Sequence, residues 1–252
     1  MCTIAILVNA CDAALALAAN RDEMYARASR PPERVAPGIA CGVDAVGGGT
    51  WLAVRADGAF AAVTNQFGAT APPGARSRGV VVRELAAASD PEAYVAALDP
   101  RAYASMNLVW GDARRGAWIS YLRRDGSTDT TKLADGVHVL CNDRLESTKF
   151  ARGTRLHDRI AQQLAVSPRW DALVAALPAM LGDHTQVASP ADAAPAPGAL
   201  PAPLTANCIH TATYGTRCAT LAAFAPGAVR TYLHADGPPC VTPFVDRREL
   251  LR

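Results

Sequence analysis

No apolar stretch in this 252-residue chain approaches the roughly 20 residues needed to cross a bilayer, so no transmembrane segment is expected. No block of basic residues and no aromatic stripe set among basic residues occurs. The 25 Lys and Arg against 23 Asp and Glu are spread along the chain for a formal charge of +2, and nucleic acid is not an expected partner. Gly47-Gly48-Gly49 is followed by Thr50-Trp51 rather than by GK[ST], which excludes a phosphate-cradling loop and leaves a loop entering a strand. No Lys or Arg precedes Arg21, and Asn9 and Asp12 interrupt the first apolar run, so a secretory signal is not expected. CxxC pairs and internal repeats are also missing. The seven cysteines (Cys2, Cys11, Cys41, Cys141, Cys208, Cys218, Cys240) are odd in number and scattered, which fits a reducing, cytoplasmic location. Cys208 and His210 are two apart and would share one face of an extended strand. No second ligand pair accompanies them, so they read as ordinary strand residues and no metal or cofactor is assigned.

Half of the residues are hydrophobic, enough for a substantial core in a single domain spanning residues 1–252. Met1-Cys2 stands out. Removal of Met1 would expose a residue that carries both a thiol and a free α-amine. The amine titrates at about 7.7 to 8.0 and the thiol near 8.5, so the amine can take the thiol proton at little cost near neutral pH. A nucleophile with its own base is the starting point of N-terminal nucleophile catalysis. The competing reading is a small apolar cysteine buried in a first strand.

Residues 3–9 and 14–19 read as two strands joined by Ala10-Cys11-Asp12-Ala13. Antiparallel pairing brings the end of the second beside the start of the first, placing Arg21 and Asp22 next to Cys2. Further hairpins are signalled around Asp57-Gly58, between Gly111 and Gly116, and around Pro226-Gly227, where the flanking strands are 207–224 and 228–233. Helices are expected over 78–88, from an Asp90-Pro91-Glu92 cap to Leu98, and over 147–164 and 167–181, the last with Pro168 in its first turn. The Ala- and Pro-rich run 188–203 reads as an exposed loop within the domain.

Asn20-Arg21-Asp22-Glu23, Gly48-Gly49-Thr50-Trp51-Leu52-Ala53, Thr64-Asn65, Ser77-Arg78-Gly79, Leu140-Cys141-Asn142 and Tyr214-Gly215-Thr216-Arg217 follow Met-Cys in order. As a set they resemble the NRDE family, also called the transport and Golgi organisation family, which is similar to the N-terminal nucleophile hydrolase superfamily. The resemblance implies an α+β fold, a four-layer αββα sandwich of two antiparallel sheets, and chemistry like that of cysteine amidases. It implies Cys2 as nucleophile, Arg21 and Asp22 beside it, Asn65 in an oxyanion hole, Asn142 contacting the site, and Arg217 directed inward to pair with its acidic group. Trp51, Gln66, Phe67 and Tyr214 are the candidate substrate-binding residues. Glu23 receives no mechanistic role. The implied activity is cleavage of an amide or thioester bond in a small acylated substrate, by hydrolysis or acyl transfer through a Cys2 acyl-enzyme. Family members linked to haem or lipid handling supply the alternative, a non-catalytic carrier or chaperone for haem or acyl-coenzyme A in the same cleft.

Overall fold

Residues 2–187 and 200–252 are described by a computed structural model. In chain order the elements are β1 (Cys2–Val8), β2 (Leu15–Met24), β3 (Ser29–Ala36), β4 (Ile39–Asp44), β5 (Leu52–Arg55) and β6 (Ala59–Asn65), then α1 (Arg78–Ala87) and α2 (Pro91–Ala96). There follow β7 (Met106–Asp112), β8 (Gly116–Leu122), β9 (Thr128–Lys132), β10 (Gly136–Leu140), α3 (Ala151–Val166) and α4 (Trp170–Leu181), and finally β11 (Tyr214–Ala225), β12 (Ala228–Ala235) and β13 (Val245–Asp246). Six strands form one antiparallel sheet in the order β10-β1-β2-β11-β12-β13, and the other seven form a meander, β3 to β9, in sequence order.

Strand alternation sorts the side chains into layers. Ile4, Ile6, Leu15 and Leu17 of the first sheet meet Leu52, Val54, Phe60 and Val109 of the second, with Phe60 and Phe224 stacked at 5.5 Å. Ala5, Leu7, Ala16 and Ala18 point the other way, onto Leu156 and Ile160 of α3 and Leu173 and Leu177 of α4. On the outer face of the meander, Ala61, Met106 and Leu108 pack against Val81, Val82 and Leu85 of α1 and Val95 of α2. The result is the α+β, four-layer αββα sandwich of two antiparallel sheets that the resemblance implies.

The helices sit close to their expected positions, and Asp90 caps α2 by accepting from the Ala93 N–H at 3.0 Å. Three segments differ. β2 continues to Met24 instead of ending near Ala19, because it lies between β1 and β11 and has ladder partners on both sides. β3 and β4 were not expected; Pro31 and Pro32 are tolerated because β3 is a sheet edge. The final hairpin begins at Tyr214 rather than Asn207, so Cys208 and His210 precede the strand, and their segment is held to it by a His210–Gly215 bridge and by Ile209–Thr216 hydrogen bonds. Of the expected loop 188–203, residues 188–199 lie outside the described residues, while Ala202–Thr205 forms a 3-10 turn.

A polar clasp joins the two sheets at one end. Thr64 Oγ1 donates to the Cys141 carbonyl at 2.8 Å, Asn142 Nδ2 donates to the Asn65 carbonyl at 2.8 Å, and the Phe67 N–H reaches the Asn142 carbonyl at 2.7 Å. These bonds fix the end of β6 against the end of β10, beside the start of β1.

One buried imidazole sets a pH dependence. His234 of β12 lies with Nδ1 3.0 Å from Thr220 Oγ1, and burial, with the nearby Arg247 charge, holds its pKa down to about 4 from 6.5. Between those values the unfolded chain binds a proton that the folded chain rejects, so stability falls as pH drops from 6.5 to about 4. His234→Asn, whose amide can reproduce the Nδ1 contact, is expected to abolish a loss of up to about 3 kcal/mol across that window. Urea unfolding at several pH values checks this, and an unchanged acid-side slope in the variant would contradict it.

Candidate active site

The β1–β2 register places Cys2 directly opposite Arg21, and the β2–β11 register places Arg21 opposite Cys218 and Asp22 opposite Thr216. Opposed residues share a face, so Cys2 and Arg21 both project into the space between the sheets, whereas Asp22, one residue on, projects toward α3. A cleft of about 430 Å³ opens here, with Cys2, Arg21, Asp22, Trp51, Asn65 and Arg78 among its lining residues. Five of these six are expected site residues.

Arg21 is buried and lies over the Trp51 ring, its guanidinium carbon 4.3 Å from the centroid, a cation–π contact. Trp51 in turn lies across Gly42, where a Cβ would come within 2.3 Å of the indole. Arg78, unassigned from the sequence, opens α1 and faces the cleft while donating to the Ser105 carbonyl at 3.3 Å. Its position comes from a backbone contact between two motifs. A Cβ on Gly49 would lie 2.1 Å from the Gly79 carbonyl carbon, and the Thr50 N–H bonds the Gly79 carbonyl at 3.0 Å. Other cations of the cleft are neutralised. Arg27 pairs with Asp44 at 2.6 Å and with Glu23 at 3.9 Å, and Arg76 pairs with Glu84 at 3.4 Å. Glu23, which had no role, therefore helps hold Arg27. Arg21 and Arg78 make their direct contacts with neutral groups, Ser29 and Trp51 for the first and the Ser105 carbonyl for the second.

Beneath the sheet is a buried ionic group. Asp22 Oδ1 accepts from Thr216 Oγ1 at 2.7 Å, and Oδ2 is 3.9 Å from Arg152 Nη1. Arg152 is fully buried, donating to the Leu204 carbonyl at 2.8 Å and to Asn142 Oδ1 at 3.0 Å. Burial raises the Asp22 pKa, against the pull of Arg152, the Thr216 hydroxyl and Arg21. Burial likewise raises the Cys2 thiol, and the Asp22 charge adds to this, while Arg21 and the Asp22 backbone N–H act in the opposite sense. The thiol is thus protonated at neutral pH and needs a base to become a nucleophile.

The remaining expected residues fall outside the cleft lining. Asn142 is buried one step behind it, fixing the Asn65 backbone on one side and Arg152 on the other. Tyr214 shares the face of Asp22, and its phenol is pushed up by burial and then by the Asp22 and Cys2 charges. Gln66 turns into the meander, donating to Asn107 Oδ1 at 2.9 Å, and Phe67 packs edge-on against Phe150 at 6.2 Å. Arg217 does not reach the acidic group. A β-bulge between Thr216 and Cys218 turns it aside, and it donates instead to the Met24, Tyr25 and Arg27 carbonyls. The guanidinium that meets Asp22 is that of Arg152, missed in the sequence although it carries a signal. It aligns with Leu156 and Ile160 along the buried stripe of α3, a charge where the helical period calls for an apolar residue.

The sequence profile of the family described as Transport and Golgi organisation 2 matches residues 1–229. The chain belongs to the transport and Golgi organisation 2 family. Among curated members, the Transport and Golgi organization protein 2 homolog of Bos taurus is 33% identical over 223 residues, covering 82% of this chain and 80% of its own. The human homolog is 31% identical over 190 residues, covering 70% and 68%. Among solved structures, a Caenorhabditis elegans N-acylethanolamine-hydrolyzing acid amidase ortholog aligns over 87% of this chain and 91% of its own, with a TM-score of 0.49 and 10% identity. In this transport and Golgi organisation 2 chain the motif pairs meet in space: Gly49 with Gly79, Thr64-Asn65 with Cys141-Asn142, and Asp22 with Thr216.

Arg152→Leu removes the cation that serves Asp22 and Asn142 together and should cost about 3–5 kcal/mol of stability. Arg152→Lys should recover little of this, since one ammonium cannot reproduce the planar fork that serves several acceptors. Chemical denaturation of both variants checks the role, and a loss below about 1 kcal/mol, the scale of an exposed pair, would contradict it.

Proposed function

We propose that this chain, once Met1 is removed, is an N-terminal-cysteine hydrolase or acyltransferase that cleaves an amide or thioester bond of a small acylated substrate. The observation that carries this reading is the register of β1 on β2, which sets Cys2 against Arg21 at the floor of the cleft with Asp22 beneath. The freed α-amine of Cys2 takes the thiol proton, with the Asp22 carboxylate holding the resulting ammonium and Arg21 favouring the thiolate. The sulfur attacks the substrate carbonyl carbon and the carbonyl π electrons move onto oxygen. The Asn65 side-chain N–H and a backbone N–H face that oxyanion, a contribution of about 2.7–4 kcal/mol for one donor. Collapse expels the amine or thiol, which leaves with the proton held by the α-ammonium, and water or an acceptor amine then releases the acyl group from sulfur. Asn142 is a positioning residue in this scheme, because its amide fixes the Asn65 backbone.

Arg21 and Arg78 favour a substrate with a carboxylate or phosphate near the scissile bond, in keeping with charge-assisted recognition of such groups. The same pair of cations, flanked by Trp51, supports the second reading, a carrier for haem or acyl-coenzyme A. A reducing cytosol is the proposed location, in keeping with seven free thiols; no helix among the described residues is long and apolar enough to cross a membrane.

Turnover across a panel of small amides and thioesters separates the readings. Cys2→Ala is expected to abolish turnover, and Asn65→Ala to lower kcat by roughly 10²–10³-fold with less effect on KM. A panel without turnover, together with calorimetric binding of haem or acyl-coenzyme A that survives Cys2→Ala, would overturn the enzyme in favour of the carrier.

A further inference from the structure

Away from the cleft, four potential ligands from distant parts of the sequence converge: His184 after α4, Cys208 and His210 before β11, and Cys240 after β12. We propose that these four residues form a tetrahedral Cys2His2 site for a structural divalent metal, with zinc as the natural occupant. The sequence offers only the Cys208–His210 pair; the second pair comes from the fold.

Distances support a metal site over a chance cluster. Zinc bonds sulfur at about 2.3 Å and imidazole nitrogen at about 2.0–2.1 Å, so a regular tetrahedron places its sulfurs about 3.8 Å apart and sulfur and nitrogen about 3.5–3.6 Å apart. Here Cys208 Sγ and Cys240 Sγ are 3.6 Å apart, and His210 Nε2 is 3.5 Å from the first and 3.4 Å from the second. All four ligand atoms lie within 4.8 Å of one another, and the two imidazole centroids are 5.0 Å apart. The sulfur separation is far beyond the roughly 2.05 Å of a disulfide. Two thiolates with two imidazoles form a donor set suited to zinc, and both thiols release their protons to solvent when the metal binds.

Outer contacts match as well. His184 Nδ1 is 3.1 Å from the Cys208 carbonyl, so an N–H there orients the ring and leaves Nε2 for the metal. The Cys208 N–H is tied to the Asp183 carbonyl at 2.9 Å. A Cβ on Gly182 would lie 3.1 Å from the Cys240 Cα, so the end of α4 already rests on the Cys240 loop. Four protein ligands leave no open position, which makes the site structural rather than catalytic.

The site also supports the platform beneath Asp22. Ile209, between two ligands, donates its N–H to Thr216 Oγ1 at 2.9 Å and accepts from the Thr216 N–H at 2.9 Å, and Thr216 Oγ1 in turn donates to Asp22. Asn20 Nδ2 bridges the Leu181 and Asn207 carbonyls at 2.9 Å each. A bound metal would hold these segments together whether or not Cys2 is a nucleophile.

The test uses untagged full-length protein under reducing conditions. Elemental analysis should find one zinc per chain, and exchange with cobalt(II) should give a thiolate-to-cobalt charge-transfer band with intense tetrahedral d–d absorption. Cys240→Ser should lose the charge-transfer intensity of one thiolate. His184→Ala, at an exposed position, should weaken zinc by roughly tenfold or more without altering far-ultraviolet circular dichroism, which guards against simple misfolding. Reduced, folded protein that takes up neither zinc nor cobalt, or that binds them equally well without His184 and Cys240, would overturn the proposal.

Discussion

A single guanidinium, that of Arg152, ties the two walls of the cleft together. It projects from α3 into a fully buried space beneath the six-stranded sheet, where it meets Asp22, the Asn142 side chain and the Leu204 carbonyl. Desolvating such a group is costly, and the pairing returns little net stability beyond what a well-packed apolar core would give. What it contributes is placement. Through Asp22 it anchors the strand opposite Cys2, and through Asn142 it anchors the end of β6 that carries Asn65. A shift of α3 would therefore move the support of Cys2 and the candidate oxyanion donor together.

The cleft above that guanidinium has two chemical characters. Its floor is the first residue of β1, with a thiol that burial keeps protonated, so sulfur chemistry there depends on a base the hairpin itself must supply. Its walls present Arg21 and Arg78, held respectively against Trp51 and by the Gly49–Gly79 contact. A protonated thiol beside two guanidinium groups that make no direct ion pair suits a substrate that brings its own negative charge. Burial outweighs the help that Arg21 gives the thiolate, so a nucleophilic Cys2 needs the amine as base.

How much of this was legible follows from how local each feature is. The Cys2–Arg21 pairing could be read because a short hairpin fixes register without distant contacts. The helices were legible because apolar period and the Asp90 cap agree. Arg217 was misplaced because a one-residue bulge reverses its face, and no residue type in Tyr214-Gly215-Thr216-Arg217 announces where the extra residue sits. Gln66 and Phe67 follow Asn65 in sequence, yet the chain turns there toward the meander and α3. Arg152 is visible in the sequence as a charge in the apolar stripe of α3, but its partners Asp22 and Asn142 come from other elements. His184 and Cys240 lie 24 and 32 residues from Cys208, so only tertiary structure could show that they complete a quartet.

The central claim is that Cys2 acts as an N-terminal nucleophile. The most direct measurement is the intact mass and amino-terminal peptide of protein isolated from its native cells, before and after reaction with an amide-mimicking electrophile. The expected result is a chain that begins at Cys2 and carries a single adduct on that residue's sulfur. Retained Met1, or an adduct on any of the other six cysteines with Cys2 unmodified, would contradict it.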